Sequence, residues 1–480
     1  MKTKVQVFDK LPWDVCLFFA LYVLAPAYCA IELSAKFPLI TVSRVLIVLI
    51  GTMLVLRRRR DLFYLPTLDI RSLNFGLSTD RWLRWGLFAY FGLLTVCHMV
   101  LLPVNTGEEI KAIFVLWIES YALVWMLSLV LNTRRKVIAA LRILVLASGV
   151  TAIISAVGCI FGCNPFHALN FVSRDMVLNF EYRQGMLRAS AGFQHACHYG
   201  AFCTIISPIN MYFVEYSEKR WEKKLFSLCL ALNIVGIVLS NSRGSFVTFG
   251  FLVIVAAIWA IFHQEFRKFL CTYVPVGVLA TLLLVVVAVL SPVGLVFLEG
   301  IVRSVLHIVF PGVSMDVVLK EHNKILSNGL NGGDGSVIPY GLNEGGGYSR
   351  LRQLTGIQWT LTQKPWFGFG SNAHMAGLIS YQYIKGVWQV SQTFDVGIVA
   401  VICSYGIVGL LGHIALFGSL LKASFSKICF RDPLMRFLGF TLVIYLVHLL
   451  TIASLHKMLW ILISAIVCLS NIIRRESMES

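Results

Sequence analysis

Charge is what this chain has least of. Only 14% of its 480 residues are Asp, Glu, Lys or Arg, 58% are hydrophobic, and the mean hydropathy is +0.78. That balance excludes a soluble globular protein and indicates a polytopic membrane protein. Acidic residues are the scarcer sign, 24 against 41 basic ones, and no acidic cluster suggests a metal site. No cofactor is expected. Nucleic-acid-binding motifs are absent, so the net charge of +17 needs a different explanation. There is no disulfide framework either. The 12 cysteines are scattered, mostly inside apolar runs, as with Cys16, Cys97, Cys229, Cys271 and Cys468. Cys159 and Cys163 are close in sequence near a helix end, but no second Cys or His pair completes a metal set. The first apolar run is followed by Ile31-Glu32-Leu33 rather than a small-residue cleavage site, and fits a retained span. No internal repeat is present.

What is there is a succession of apolar runs. Twelve spans are predicted, at 12–31, 39–56, 83–102, 110–131, 137–159, 193–214, 225–240, 246–262, 269–291, 397–421, 437–454 and 458–473. The expected fold is all-α, with transmembrane helices over 1–291, a large outer loop region with short helices over 292–393, and the last helices over 394–480. Basic clusters recur after every second span: Lys2/Lys4/Lys10, Arg57 to Arg60, Arg134-Arg135-Lys136, Lys219 to Lys224, Arg267-Lys268, Lys422/Lys427/Arg431 and Arg474-Arg475. Loops on the other side are poor in Lys and Arg, as in the 103–109 loop. By the positive-inside rule both termini are cytoplasmic, and the clusters account for much of the net charge.

Two outer segments stand apart. The 164–190 stretch carries Arg174, Asp175, Glu181, Arg183 and Arg188. The 292–393 stretch opens with an amphipathic piece, 302–309. A Gly-rich tract at 328–347 follows and reads as a mobile loop over the cavity mouth. Then come a helix-like stretch, Tyr348 to Gln363, and the turn-rich Lys364 to Asn372.

The chemistry is expected at the outer face. Arg243 sits in a very short turn, Asn241-Ser242-Arg243-Gly244-Ser245, where a new helix begins. A helix N-terminus leaves N–H groups free and favours an anion, so a guanidinium there calls for a negative group, naturally a phosphate at headgroup depth. Arg188, Arg350 and Arg352 are the other outer arginines, and Arg suits phosphate through its bidentate fork. The alternative for each is snorkelling to headgroups or pairing with a carboxylate. Groups able to move a proton are His195, His198, His322, His374 and Asp395. Asp395 reads either as a base that takes a proton from a sugar hydroxyl or as a helix-capping carboxylate. Glu119 and His448 fall inside spans, where they mark an ion path or satisfy one another.

Three stretches carry a family likeness. Leu187-Arg188-Ala189-Ser190-Ala191-Gly192-Phe193 resembles an Arg-x-x-Gly-x-Phe entry to a middle helix, and Leu239 to Gly244 resembles a Ser-Arg-Gly turn. Ser349-Arg350, Trp359 and Pro365-Trp366-Phe367-Gly368-Phe369-Gly370 resemble an outer-loop Arg and Gly-x-Gly segment, with Gly406-Ile407-Val408-Gly409 in the next helix. Over 187–415 the chain thus resembles the O-antigen ligase and polymerase superfamily, in particular its Wzy-like polysaccharide polymerases. The resemblance implies a metal-independent glycosyltransferase in the inner membrane. Its partners are a polyprenyl-diphosphate-linked glycan donor, a lipid-linked acceptor, membrane lipids and a chain-length regulator protein. It implies that Arg188, Arg243 and Arg350 hold the diphosphate, to which the outer position of Arg352 adds a fourth candidate, and that Asp395, Arg243 and Arg350 are catalytic. Ligases of the family carry a histidine where this chain has Asp395, which favours polymerisation. Transfer to lipid A core as a ligase stays the alternative. A transporter or flippase of lipid-linked sugars calls for polar residues lining several spans and a pair of broken helices, neither evident in the sequence.

Overall fold

The computed structural model describes residues 11–26, 28–32, 39–62, 80–172, 182–183, 186–262, 267, 353–371, 377–384, 387–390, 396–450 and 456–479. These form an all-α membrane protein. Its helices are α1 (Trp13–Leu24), α2 (Val42–Leu62), α3 (Arg81–Leu101), α4 (Thr106–Phe114), a π-helical segment (Val115–Ala122) and α5 (Leu123–Val130). Then follow α6 (Arg134–Phe161), α7 (Ala196–Tyr216), α8 (Arg220–Ser240), α9 (Arg243–Phe262) and α10 (Thr355–Gln363). The last are α11 (Gly397–Ser424), α12 (Pro433–Leu449) and α13 (His456–Glu479). Three small antiparallel hairpins decorate them: β1–β2 (Ala30–Ile31, Ile40–Thr41), β3–β4 (Tyr182–Arg183, Met186–Leu187) and β5–β6 (Ser380–Ile384, Val387–Val390).

Six of these helices, counting α4 to α5 as one, are long and apolar enough to cross a membrane, and α1, α9 and α12 are shorter apolar helices. Large apolar side chains such as Val48, Phe88, Ile153, Ile258 and Leu411 stay exposed on their outer faces, as lipid contact requires. The span expected at 269–291 and most of 292–393 lie outside the described residues. Most predicted spans match a helix, but several ends move. α1 stops at Leu24 rather than 31, because Pro26 pushes the residue before it into extended backbone. α4 begins at Thr106, so Glu108 and Glu109 stand in a first helical turn and not in a loop.

Capping side chains set several starts. Asp80 accepts from the amides of Trp82 (2.8 Å) and Leu83 (3.4 Å), and Asp432 accepts from Met435 N (3.1 Å) with Pro433 at the first helical position. Both caps also bind an arginine of another helix, Asp80 with Arg474 and Asp432 with Arg134 (2.5 Å). Asp14–Arg57 and Arg142–Glu222 (3.3 Å) add further ties near helix ends. Inside the bundle, α13 is buried from Met458 to Leu469, and α7 from Tyr199 to Asn210. A helix that is apolar all round belongs at the centre. α3 runs along α11, closely enough that a Cβ at Gly86 would meet Ser419 Oγ at 2.0 Å.

Candidate functional site

The backbone is interrupted at two places, and each interruption is filled by a distant segment. The first is the α8–α9 turn. α8 ends at Asn241 in the left-handed conformation (φ 43°), leaving carbonyls without helical partners. The segment after β4 supplies donors: Ala189 N donates to Leu239 O (3.0 Å) and Arg188 Nε to Ser240 O (2.8 Å). A cation beside a helix C-terminus is also electrostatically favourable. Another Arg188 nitrogen lies 3.4 Å from Cys197 Sγ in the first turn of α7, whose N-cap is His195, with Nδ1 accepting from Cys197 N (3.0 Å). Ser242 caps α9 through Oγ and Ser245 N (3.4 Å). The segment itself is pinned by Asn164, which donates to Ser190 Oγ (3.0 Å) and Ala191 O (2.9 Å), and by Tyr28 Oη, which donates to Ala191 O (3.4 Å). Tyr28 meets His167 edge-on, and burial pushes the His167 imidazole below its ordinary range.

The second interruption lies inside α11. Gly406 adopts φ 62° and ψ −156°, a region open in practice only to glycine. In an unbroken helix the amides of Ile407 and Val408 would bond to the carbonyls of Cys403 and Ser404. Here the segment after α10 is inserted between them. Phe369 N and Gly370 N donate to Cys403 O (3.0 Å) and Ser404 O (2.9 Å). Ile407 N and Val408 N donate to Pro365 O (2.9 Å) and Trp366 O (3.0 Å). Two helical bonds are thus replaced by four bonds to the inserted segment. That segment is held from its far side by buried Glu109, which accepts from Ser371 N (2.7 Å) at Oε1 and from His98 Nδ1 (2.6 Å) at Oε2.

Beside this insertion lies a half-open cavity of about 770 Å³, walled by α2, α3, α4, the π-helical segment, α11, α12 and α13. Ser371 and His98 belong to its wall, and its ionic groups are paired: Arg44 with Glu119 (2.5 Å) and Lys111 with Glu108 (2.8 Å). Glu119 projects from the π-helical segment, a geometry often found at functional sites. Tyr90 meets His413 edge-on in the same wall.

The structure places the expected site residues unevenly. Arg188 is brought to the α8–α9 turn, next to the residue at which Arg243 begins α9. In the turn, Ser240, Asn241 and Ser242 are almost fully covered. The side chain of Arg243, and Arg350, Arg352, Asp395, His322 and His374, lie outside the described residues, as do the 302–309 and 328–347 tracts and Arg174, Asp175 and Glu181. His195 acts as a helix cap with His198 beside it. Glu119 and His448 do not satisfy one another: Glu119 pairs with Arg44, and His448 Nδ1 lies 3.1 Å from Thr248 Oγ1. Sequence reasoning missed Arg44, His98, Glu109 and Lys111, and it missed the break at Gly406. Among the described residues no group of three or more His, Cys, Asp and Glu could hold a metal. Compared with models of known families and with curated proteins, the chain matches none.

Proposed function

We propose that the protein is a polymerase of bacterial surface polysaccharide, an O-antigen or exopolysaccharide, as its resemblance to Wzy-like polymerases suggests. It has twelve spans in the inner membrane, both termini in the cytoplasm and its large 292–393 loop on the outer face. The donor is a growing glycan on polyprenyl diphosphate and the acceptor is a hydroxyl of a second lipid-linked repeat unit. The acceptor oxygen bonds to the anomeric carbon as the bond from that carbon to the diphosphate breaks. The diphosphate leaves with its charge, and Asp395 takes the hydroxyl proton. Arg243, Arg350, Arg352 and Arg188 neutralise the leaving group, so no metal is needed.

One observation carries this reading: the stretches behind the resemblance meet in pairs. The 187–189 segment is bonded to 239–240, and 365–370 to 403–408. Each meeting joins one of these segments to a conformationally special point of a helix, Asn241 at the end of α8 and Gly406 inside α11. The test is Arg243→Lys, which keeps charge but loses the fork. Removing a donor aimed at developing charge costs roughly 3 kcal/mol, so polymer formation should fall about a hundredfold at matched protein level. Normal polymer length would end the diphosphate role.

A second reading has support of its own. The break in α11, the π-helical segment and the paired charges of the cavity are features a transporter or flippase of lipid-linked sugars would use. Loss of the gene separates the readings. A polymerase defect leaves single repeats on the surface, a ligase defect leaves lipid-linked polymer unattached, and a flippase defect leaves repeats on the inner face.

A further inference from the structure

We propose that the cavity beside the inserted 365–371 segment binds a neutral, hydroxyl-rich glycan; Arg188 is not among its lining residues. The inference rests on the polymerase reading only in naming the glycan's source, the sugar part of the acceptor repeat unit. Its volume of about 770 Å³ is that of a ligand site.

Charge decides against the other occupants. The wall's Lys, Arg, Asp and Glu residues are Arg44, Lys111, Glu108 and Glu119, two of each sign, already paired at 2.5 and 2.8 Å. A phosphate drawn to either cation meets that cation's carboxylate at contact distance, and like charges there are repulsive. A bare hydrocarbon chain would strip water from both pairs and return no hydrogen bond. A polyol does neither. Its hydroxyls donate to the carboxylates and accept from the cations with the pairs intact. Tyr90, Tyr405 and Trp460 belong to the same wall and give it apolar surface. The inserted segment adds Ser371 to the wall, so the cavity's shape depends on the break at Gly406.

The experiment uses the full chain in lipid nanodiscs, free of sugar-headed detergent. Ala112, in the wall, is changed to Cys and labelled with a neutral maleimide, with the site read by peptide mass. The competitors are short neutral oligosaccharides, the oligosaccharide released by mild acid from the cells' lipid-linked pool, inorganic pyrophosphate, and polyprenyl phosphate without sugar. Either glycan is expected to slow labelling in a saturable way, with pyrophosphate and polyprenyl phosphate inert. Glu119→Gln should weaken that protection about tenfold, the loss of one hydrogen bond to a charged group. Ala400→Phe, which fills the cavity and leaves both ion pairs in place, should abolish it and covers the case in which Glu119→Gln fails to fold. Protection by polyprenyl phosphate alone would make this a lipid-chain site, protection by pyrophosphate an anion site, and protection by neither glycan would overturn the proposal. Because glycan and pyrophosphate are scored separately, a normal Arg243→Lys variant would remove the diphosphate assignment without touching this result.

Discussion

The α8–α9 turn and the break in α11 solve one problem by different means. Each leaves helix carbonyls or amides that must be paired because they are buried within the protein. At the α8–α9 turn one of the two donors is a side chain, Arg188 Nε on Ser240 O. At Gly406 every donor and acceptor is backbone, and the side chains matter only by staying out of the way. The first junction therefore depends on what one residue contributes, and the second on the missing side chains of Gly406 and of Gly368, where a Cβ would stand 2.7 Å from Cys403 O.

The sharpest way to break the comparison is at Gly406. A Cβ there would stand 2.5 Å from the Trp366 carbonyl and 2.6 Å from Pro365 O, and the backbone conformation is itself unfavourable for any other residue. Gly406→Ala should cost about 3 kcal/mol or more from strain and overpacking together, read as a large drop in melting temperature and in folded yield. A melting temperature within a degree or two of the parent's would mean that the insertion yields easily and the junction is not built as described.

Glu109 comes next. It is 1% exposed and serves both the Ser371 amide and His98. Glu109→Ala strands two buried donors, and the cost should reach about 2 to 3 kcal/mol. Hydrogen exchange would locate the loss: the amides of Phe369, Gly370 and Ser371 should open together while Ala189 keeps its protection. Uniform loosening of both junctions would show that they are one cooperative unit.

These two sites also show what was legible beforehand. Long helices were, because an apolar run bounded by basic residues has few other readings, and the Pro365–Gly370 turn stood out through its glycines. The partner of that turn was hidden. A glycine in an apolar run is ordinary in membrane helices, and backbone bonds leave no mark on residue type. Glu109 was hidden for another reason: in the 103–109 stretch it reads as a solvated loop residue, and only the early start of α4 turns it inward. Arg44 falls inside the expected 39–56 span, and nothing in the sequence ties it to Glu119, 75 residues further on and 2.5 Å away.

At the other junction, Arg188→Ala should cost about 1.5 to 3 kcal/mol, since it removes a charged donor from a helix-end carbonyl. Arg188→Lys should recover part of this, because charge near a helix C-terminus is kept while the Nε direction is lost. Melting temperatures of the two variants in nanodiscs check it. Equal losses would mean that hydrogen-bond direction is all that matters here, and full rescue by Lys that only the charge does.

The smallest effect is expected from acid, and it should appear at the same junction. His167 packs edge-on against Tyr28, whose hydroxyl donates to Ala191 O in the segment that caps α8. Burial holds the imidazole pKa below its ordinary 6.5 in the folded protein. As pH falls through that ordinary value, the unfolded chain takes up the proton first, so this contribution is intact above it and is lost below. Protection of the Ala189 amide should therefore weaken modestly on going from about pH 7 to about pH 5. His167→Phe keeps a ring against Tyr28 and removes the titration, so it should flatten that dependence. An unchanged pH response in the variant would place the acid sensitivity elsewhere and leave His167 as a packing contact alone.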